Sequence, residues 1–317
     1  MARSGHDDRD TSPQDDAARA AWLYYVGGLR QDQIAEELGV SRQRAQRLVA
    51  RAVADGLIRV RIAHPIASCL ELERDLRARY GLERARVAPS VPGAPDPLVA
   101  LAPVAAPELE RIFLAEAPRI IALGTGRTLR AVVEQMQTID AGRHKVVSVI
   151  GNVAPDGSAS FYEVIMRVAD KTAAPHYPMA VPVMARDRDE HRLYSGLPHV
   201  RNARALAKMA DISIVGVGQI GQDAPLYVDG FITAAELASL EEAGAAGEIC
   251  GHVFDAEGRF LDHPVNHNMV GLRVPHDGGP VLGIGAGVRK AAAIRAALAG
   301  GLLTGLVTDE DTAKLLL

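Results

Sequence analysis

The chain has 317 residues, enough for two domains and one large core, and its 48% hydrophobic and 23% charged residues are those of an ordinary globular protein. Its two cysteines, Cys69 and Cys250, are too few and too far apart for a disulfide framework or a zinc finger. The polar N-terminus lacks the apolar region of a secretory signal, and the best membrane candidate, 281–294, is short and broken by Arg289 and Lys290, so a soluble cytoplasmic protein with no membrane partner is expected.

Residues 1–13, rich in Asp, Arg, Ser and Gly, read as a disordered tail. Ala18, Ala21, Trp22, Tyr25 and Val26 then form an apolar stripe, predicting a first helix that ends at Gly27-Gly28 with Trp22 in the core. Ile34, Ala35 and Leu38 predict a short amphipathic helix from Gln31 to Leu38. Gly39 follows where a left-handed backbone is cheapest, Val40 fills the corner, and Ser41 is placed to cap the next helix. That helix, Arg42–Ala54, has two faces: Ala45, Leu48, Val49 and Ala52 point inward, while Ser41, Arg42, Gln43, Arg44, Gln46, Arg47 and Arg51 are left outside. Between Arg42 and Arg61 six arginines face one acid, Asp55, in a chain of net charge −4. Arginine and glutamine hold phosphates and read base edges, so these residues, with Gln31, are the expected contacts to double-stranded operator DNA. Leu57–Ile62 reads as the first wing strand, completing a winged helix-turn-helix over 14–63.

His64-Pro65 breaks regular structure. Cys69, Leu70, Leu72, Leu76 and Tyr80 predict an amphipathic linker helix within 64–83. Residues 88–107 carry six prolines and read as irregular or short-helical. From Arg119 onward strands and helices alternate: strands at 119–123, 145–150, 179–184, 212–217, 249–254, 270–274, 281–284 and 306–308, with helices near 127–136, 161–169, 202–209, 233–243 and 289–299. This pattern predicts a mostly parallel α/β sheet over 84–317, with ligands beyond the carboxyl ends of its strands.

Three glycine-rich turns sit at such ends. Gly124-Thr125-Gly126-Arg127-Thr128 offers backbone N–H groups, two hydroxyls and a guanidinium to a ligand. Gly285-Ala286-Gly287-Val288-Arg289-Lys290 puts a lysine at the start of a helix, a poor position without an anionic partner. Gly216-Val217-Gly218-Gln219-Ile220-Gly221 formally matches a dinucleotide fingerprint, but Gln222–Pro225 reads as loop and no acidic residue ends a following strand. A loop that lines a polar ligand, with Gln219 and Asp223 available for hydroxyls, is the better reading. Cys250, His252, His263 and His267 have possible metal-ligand spacings, yet no helix is expected to bring the histidines together, so neither a metal nor a cofactor is expected. No nucleophile elbow is present. Glu163 and Asp255 are the only candidate bases for the rival reading, a phosphosugar isomerase or deaminase carrying a DNA-binding arm, and neither has a paired acid.

Five stretches together (20–62; Gly124-Thr125-Gly126-Arg127-Thr128-Leu129; 210–221; 230–258; 285–317) make the chain resemble, over nearly its whole length, the SorC family of bacterial sugar-responsive transcriptional regulators. The resemblance implies an N-terminal DNA-binding domain and a Rossmann-like effector domain similar in fold to phosphosugar isomerases and deaminases. It also implies a homodimer or homotetramer, and no enzyme activity. It implies a sugar, sugar phosphate or polyol effector, with a repressor as the expected mode and polyol- or erythritol-responsive regulators as one candidate branch. Carried onto this chain, the pocket falls on Gly124–Thr128, Gly151, Asn152, Gly218, Gln219, Asp255 and Lys290. Two features depart from the family pattern: the prolines of 88–107, and Gly285-Ala286-Gly287 where adjacent glycines are more usual.

Overall fold

The computed structural model describes residues 12–58, 67–91, 93–94, 96–154, 157–158, 163–276 and 278–317. The chain divides into two compact units, Met1–Ala63 and His64–Leu317.

Among the described residues the first unit holds three helices: α1 (Pro13–Tyr25), α2 (Gln31–Glu37) and α3 (Arg42–Ala54). Ser12 and Asp15 form a capping box at the start of α1, so the expected tail stops short of its last two residues; 1–11 lie outside the described residues. Gly39 takes φ +63° and Ser41 Oγ accepts the Arg44 N–H at 3.2 Å, as the corner requires. Ala45, Leu48, Val49 and Ala52 are buried on α3. The expected stripe on α1 is out of phase. Ala17, Ala20 and Ala21 are buried, their small side chains letting α3 pack closely, whereas Ala18 is exposed and Trp22, far from being core, is 58% exposed beside exposed Tyr25 and Val26. Leu57 and Ile58 are not in a strand, and the remainder of the expected wing strand, 59–62, lies outside the described residues.

This core is built chiefly of alanine, so one larger side chain matters disproportionately. Ile34 is fully buried in it. Ile34→Ala is expected to cost about 2–5 kcal/mol, more than so small a unit can lose. Calorimetry should show its transition abolished and that of the larger unit unmoved; an unshifted first transition would contradict this packing.

In the second unit α4 (Ala67–Tyr80) is followed by β1 (Arg84–Ala88) and α5 (Leu98–Phe113). The expected linker helix is packed into this unit. Leu76 and Cys69 are buried, and Glu73 accepts the Val87 N–H at 3.1 Å and pairs with Arg86 at 3.2 Å. Arg86 reaches on to Glu108 of α5 at 2.9 Å, which ties the three elements together. β1 was not anticipated, and the proline-rich stretch is more regular than expected: α5 is a 16-residue helix with Pro103 and Pro107 inside it. Each proline costs a helix about 3 kcal/mol; here Leu101, Ala102, Ala105, Ala106, Leu109 and Phe113, all buried on one side, outweigh that.

The alternating pattern then follows with β2 (Ile120–Leu123), α6 (Arg127–Gln135), β3 (Lys145–Val153), α7 (Val164–Thr172) and β4 (His176–Pro182). Next come α8 (Arg188–Gly196), α9 (Pro198–Lys208), β5 (Ile212–Gly216), β6 (Gly218–Gln219), α10 (Pro225–Val228) and α11 (Ala234–Glu242). The chain continues through β7 (Gly247–Ile249), β8 (His252–Phe254), α12 (Pro264–Asn268) and β9 (Val281–Ile284). A 3₁₀ turn (Val288–Lys290) leads into α13 (Ala291–Ala299), β10 (Gly305–Asp309) and α14 (Glu310–Leu316). Where one strand was expected over 249–254, Cys250 and Gly251 take φ of +51° and +82° and fold it into the β7–β8 hairpin. The expected strand over 270–274 does not form, and the turn α10 opens within the expected loop at Pro225.

Seven strands form one parallel sheet in the order β1-β10-β9-β5-β2-β3-β4; β6, β7 and β8 form a small antiparallel one. Alternate side chains of the buried strands feed two cores: Ile121, Leu123 and Ile214 join that of α5, α6 and α7, while Ala122 and Val215 join that of α4, α9, α13 and α14. From β2 the chain builds outward through β3 and β4, then returns to place β5 on the other side of β2. The order therefore reverses between β2 and β5, and a crevice opens above that point.

Candidate functional site

The first unit presents a basic helix face. Ser41, Arg42, Gln43, Arg44, Gln46, Arg47 and Arg51 are all exposed, and Gln31 at the start of α2 is half-buried. The acids near them make only surface pairs: Arg42 with Asp32 at 3.1 Å, Arg44 with Asp16 at 3.9 Å and Arg51 with Asp55 at 3.1 Å. Arg47 Nε donates to the Gln43 carbonyl at 3.4 Å. Exposed pairs of this kind contribute about 0.2–1 kcal/mol, so a DNA phosphate can take the place of the carboxylate.

The crevice of the second unit is a cavity of about 610 Å³. Thr125, Gly126, Arg127 and Thr128 enter it from the turn between β2 and α6, where Gly126 takes φ +124° and no side chain caps the start of the helix. Gly218, Gln219 and Asp223 come from the β5 end, and Lys290 from the turn after β9. These eight expected residues are brought together. Five others do not line the cavity. Gly124 lies beneath Cys250, whose Sγ would be 3.0 Å from an added Cβ, and Gly151 is packed against the carbonyls of Val181 and Pro182. Asn152 stays within β3, its Oδ1 buried without a partner among the described residues. Glu163 is exposed at the start of α7 with φ +38°. Asp255 is occupied by its own turn, where it accepts the Glu257 and Arg259 N–H groups and pairs with the Arg259 guanidinium at 2.8 Å.

The cavity has a floor that sequence reasoning missed, formed by Glu248, Cys250 and Gly251 of the β7–β8 hairpin, with Ser90 and Asp96 beyond β1, Asp309 at the end of β10 and Asp311 just after it. Gly251 N–H donates to Glu248 Oε2 at 2.7 Å, and Glu248 keeps this position only because residue 218 is a glycine, since a Cβ there would lie 2.0 Å from Oε1. Burial raises the Glu248 carboxyl above its usual range and lowers the Lys290 amine, each opposed by the charge of the other. Arg127 pairs with Asp229 at 3.1 Å, and Arg289 with Asp223. Two cavity-lining atoms, Ser90 Oγ and Gln219 Oε1, are buried with no hydrogen-bond partner among the described residues, the condition a polar ligand relieves.

Of the four residues weighed for a metal, His263 caps α12 and lies one turn from His267, contrary to expectation; its Nε2 meets Ser239 Oγ at 3.0 Å. His252 is buried and pushed down to about 4 by that burial, and Cys250 is pushed up by burial, which disfavours a thiolate. Among the described residues no group of three His, Cys, Asp or Glu side chains is placed to hold a metal ion, and no helix is long and apolar enough to cross a membrane.

A family model for a sugar-binding domain matches residues 64–317, and one for the MarR family matches residues 20–65. The erythritol catabolism regulatory protein EryD of Brucella abortus is 35% identical over 302 residues, 95% of this chain and 96% of that protein. The transcriptional regulator LsrR of Escherichia coli K12 is 32% identical over 312 residues, 96% of this chain and 95% of that one. Among solved structures, the full-length sorbitol operon regulator SorC of Klebsiella pneumoniae superposes with a TM-score of 0.75 at 25% identity, covering 97% of this chain and 99% of its own.

Proposed function

The chain belongs to the SorC family of sugar-binding transcriptional regulators, and from that premise we propose that it controls a carbohydrate- or polyol-catabolic operon as a repressor. It is a DNA-binding regulator and not an enzyme: its full-length relatives are named regulators. Operator DNA is held by Ser41, Gln43 and Arg44 at the groove and by Arg42, Arg47 and Arg51 on phosphates. A sugar or polyol enters the cavity at Thr125–Thr128, Gly218, Gln219, Asp223 and Lys290. Paired recognition helices must sit about one turn of duplex, roughly 34 Å, apart, so the working form is a homodimer or homotetramer. The effector acts by binding one arrangement of the subunits better than the other.

The observation that carries this reading is the cavity itself, placed at the strand-order reversal and lined by the uncapped start of α6 and by two polar atoms with no partner among the described residues. The test is to measure retention of the chain's own promoter DNA with and without a panel of sugars, sugar phosphates and polyols, and the thermal transition with each. A member that raises the melting temperature is expected to change operator affinity at least tenfold, an amount within ordinary coupling energies. A ligand that stabilises the protein and leaves operator affinity untouched would refute it.

A further inference from the structure

Charge limits what this cavity can accept. Among the described residues six carboxylates line it, those of Asp96, Asp223, Asp229, Glu248, Asp309 and Asp311, and three cations, Arg127, Arg289 and Lys290. Arg127 is paired with Asp229 and Arg289 with Asp223. Glu248 and Lys290 attract one another, and that pair contributes no net charge whether both are ionised or a proton has passed between them. Five carboxylates then face two guanidiniums. A phosphate ester would bring up to two further negative charges. The helix starts at α6 and at the 3₁₀ turn can supply at most about half a positive charge each, which does not reverse the balance.

The unpartnered atoms point the same way. Gln219 Oε1 is an acceptor and needs a donor. Ser90 Oγ can give or take. The remaining carboxylates are acceptors too. Hydroxyl groups can donate to these acceptors, and a fully ionised phosphate group cannot.

We infer that the effector is an uncharged polyol or sugar, and that Glu248, fixed by the Gly251 N–H and seated over bare Gly218, excludes the phosphorylated form by neutralising Lys290, the cavity cation that could otherwise hold a phosphate. This rests on the cavity being the effector site. Glu248→Gln keeps the shape and an acceptor for the Gly251 N–H, removes the charge, and leaves Lys290 without its carboxylate.

The test titrates the full-length protein and its E248Q variant with erythritol, ribitol and sorbitol, with the terminal monophosphate of each, and with inorganic phosphate, and reads calorimetric affinity and operator release. The wild type should bind at least one parent polyol no less than tenfold more tightly than its monophosphate, and should ignore inorganic phosphate. E248Q should narrow that ratio at least tenfold. A monophosphate that binds the wild type as tightly as its parent and releases operator overturns the inference and leaves the functional reading standing. A ratio unchanged in folded E248Q overturns the role given to Glu248. If no compound binds or moves operator affinity, the reading of the cavity fails and the inference falls with it.

Discussion

Replacing Arg44 and Arg47 together by alanine is expected to abolish retention of operator DNA without unfolding the protein. Both residues are exposed on α3, and among the described residues Arg44 makes no closer ionic contact than its 3.9 Å approach to Asp16. The folded state therefore loses no more than about 1 kcal/mol. Binding loses far more. A base-reading arginine is worth about 1–3 kcal/mol and each phosphate contact contributes about 0.9 to the slope of log affinity against log salt. The double variant should lose on the order of a hundredfold in affinity or more at moderate salt, with a shallower salt dependence. Fluorescence anisotropy on the promoter fragment at two salt concentrations measures both quantities. Unchanged affinity and slope would remove α3 from the interface.

The helix-turn-helix was legible because its signals are local. Periodic apolar residues set the buried face of α3, Gly39 marked the corner, and Ser41 marked the cap. The phase of α1 was not, because Ala18 and Trp22 fit an apolar stripe as well as Ala17 and Ala21 do, and only the close approach of α3 selects the small residues. In the larger unit, glycine turns following strands disclosed eight cavity residues, since a bare helix start needs glycine in front of it. Glu248 stayed hidden for a physical reason. Residues 249–254 alternate like a single strand, and the left-handed conformation at Cys250, which folds them into a hairpin, is one that a non-glycine residue rarely signals. Asp255 was misleading in the opposite sense, being a polar residue in a family-like stretch that is fully occupied by its own turn. The prolines of α5 concealed a helix because propensity is weighed before burial is known.

Gly218→Ala should separate the two activities, leaving operator binding intact and removing the response to effector. The backbone at Gly218 is acceptable to alanine, since its φ is not in the left-handed region, so any effect must come from space. An added Cβ would lie 2.0 Å from Glu248 Oε1 and 2.9 Å from its Cγ, and the whole end of that side chain has to move. In moving it gives up the Gly251 N–H and turns toward the cavity, where its charge and bulk occupy ligand space. The cost to folding is about 1–3 kcal/mol, a modest loss for a unit of this size. The cost to effector affinity should be tenfold or greater, because one carboxylate now competes with ligand oxygens for the same donors. Gly196→Ala is the control: it ends α8 outside the cavity, nothing lies within 4 Å of an added Cβ, and it should respond like the wild type. Effector titrations of promoter-bound protein compare the two directly. If Gly218→Ala releases operator at the same effector concentration as Gly196→Ala, then Glu248 does not shape the site, and the hairpin is merely its floor.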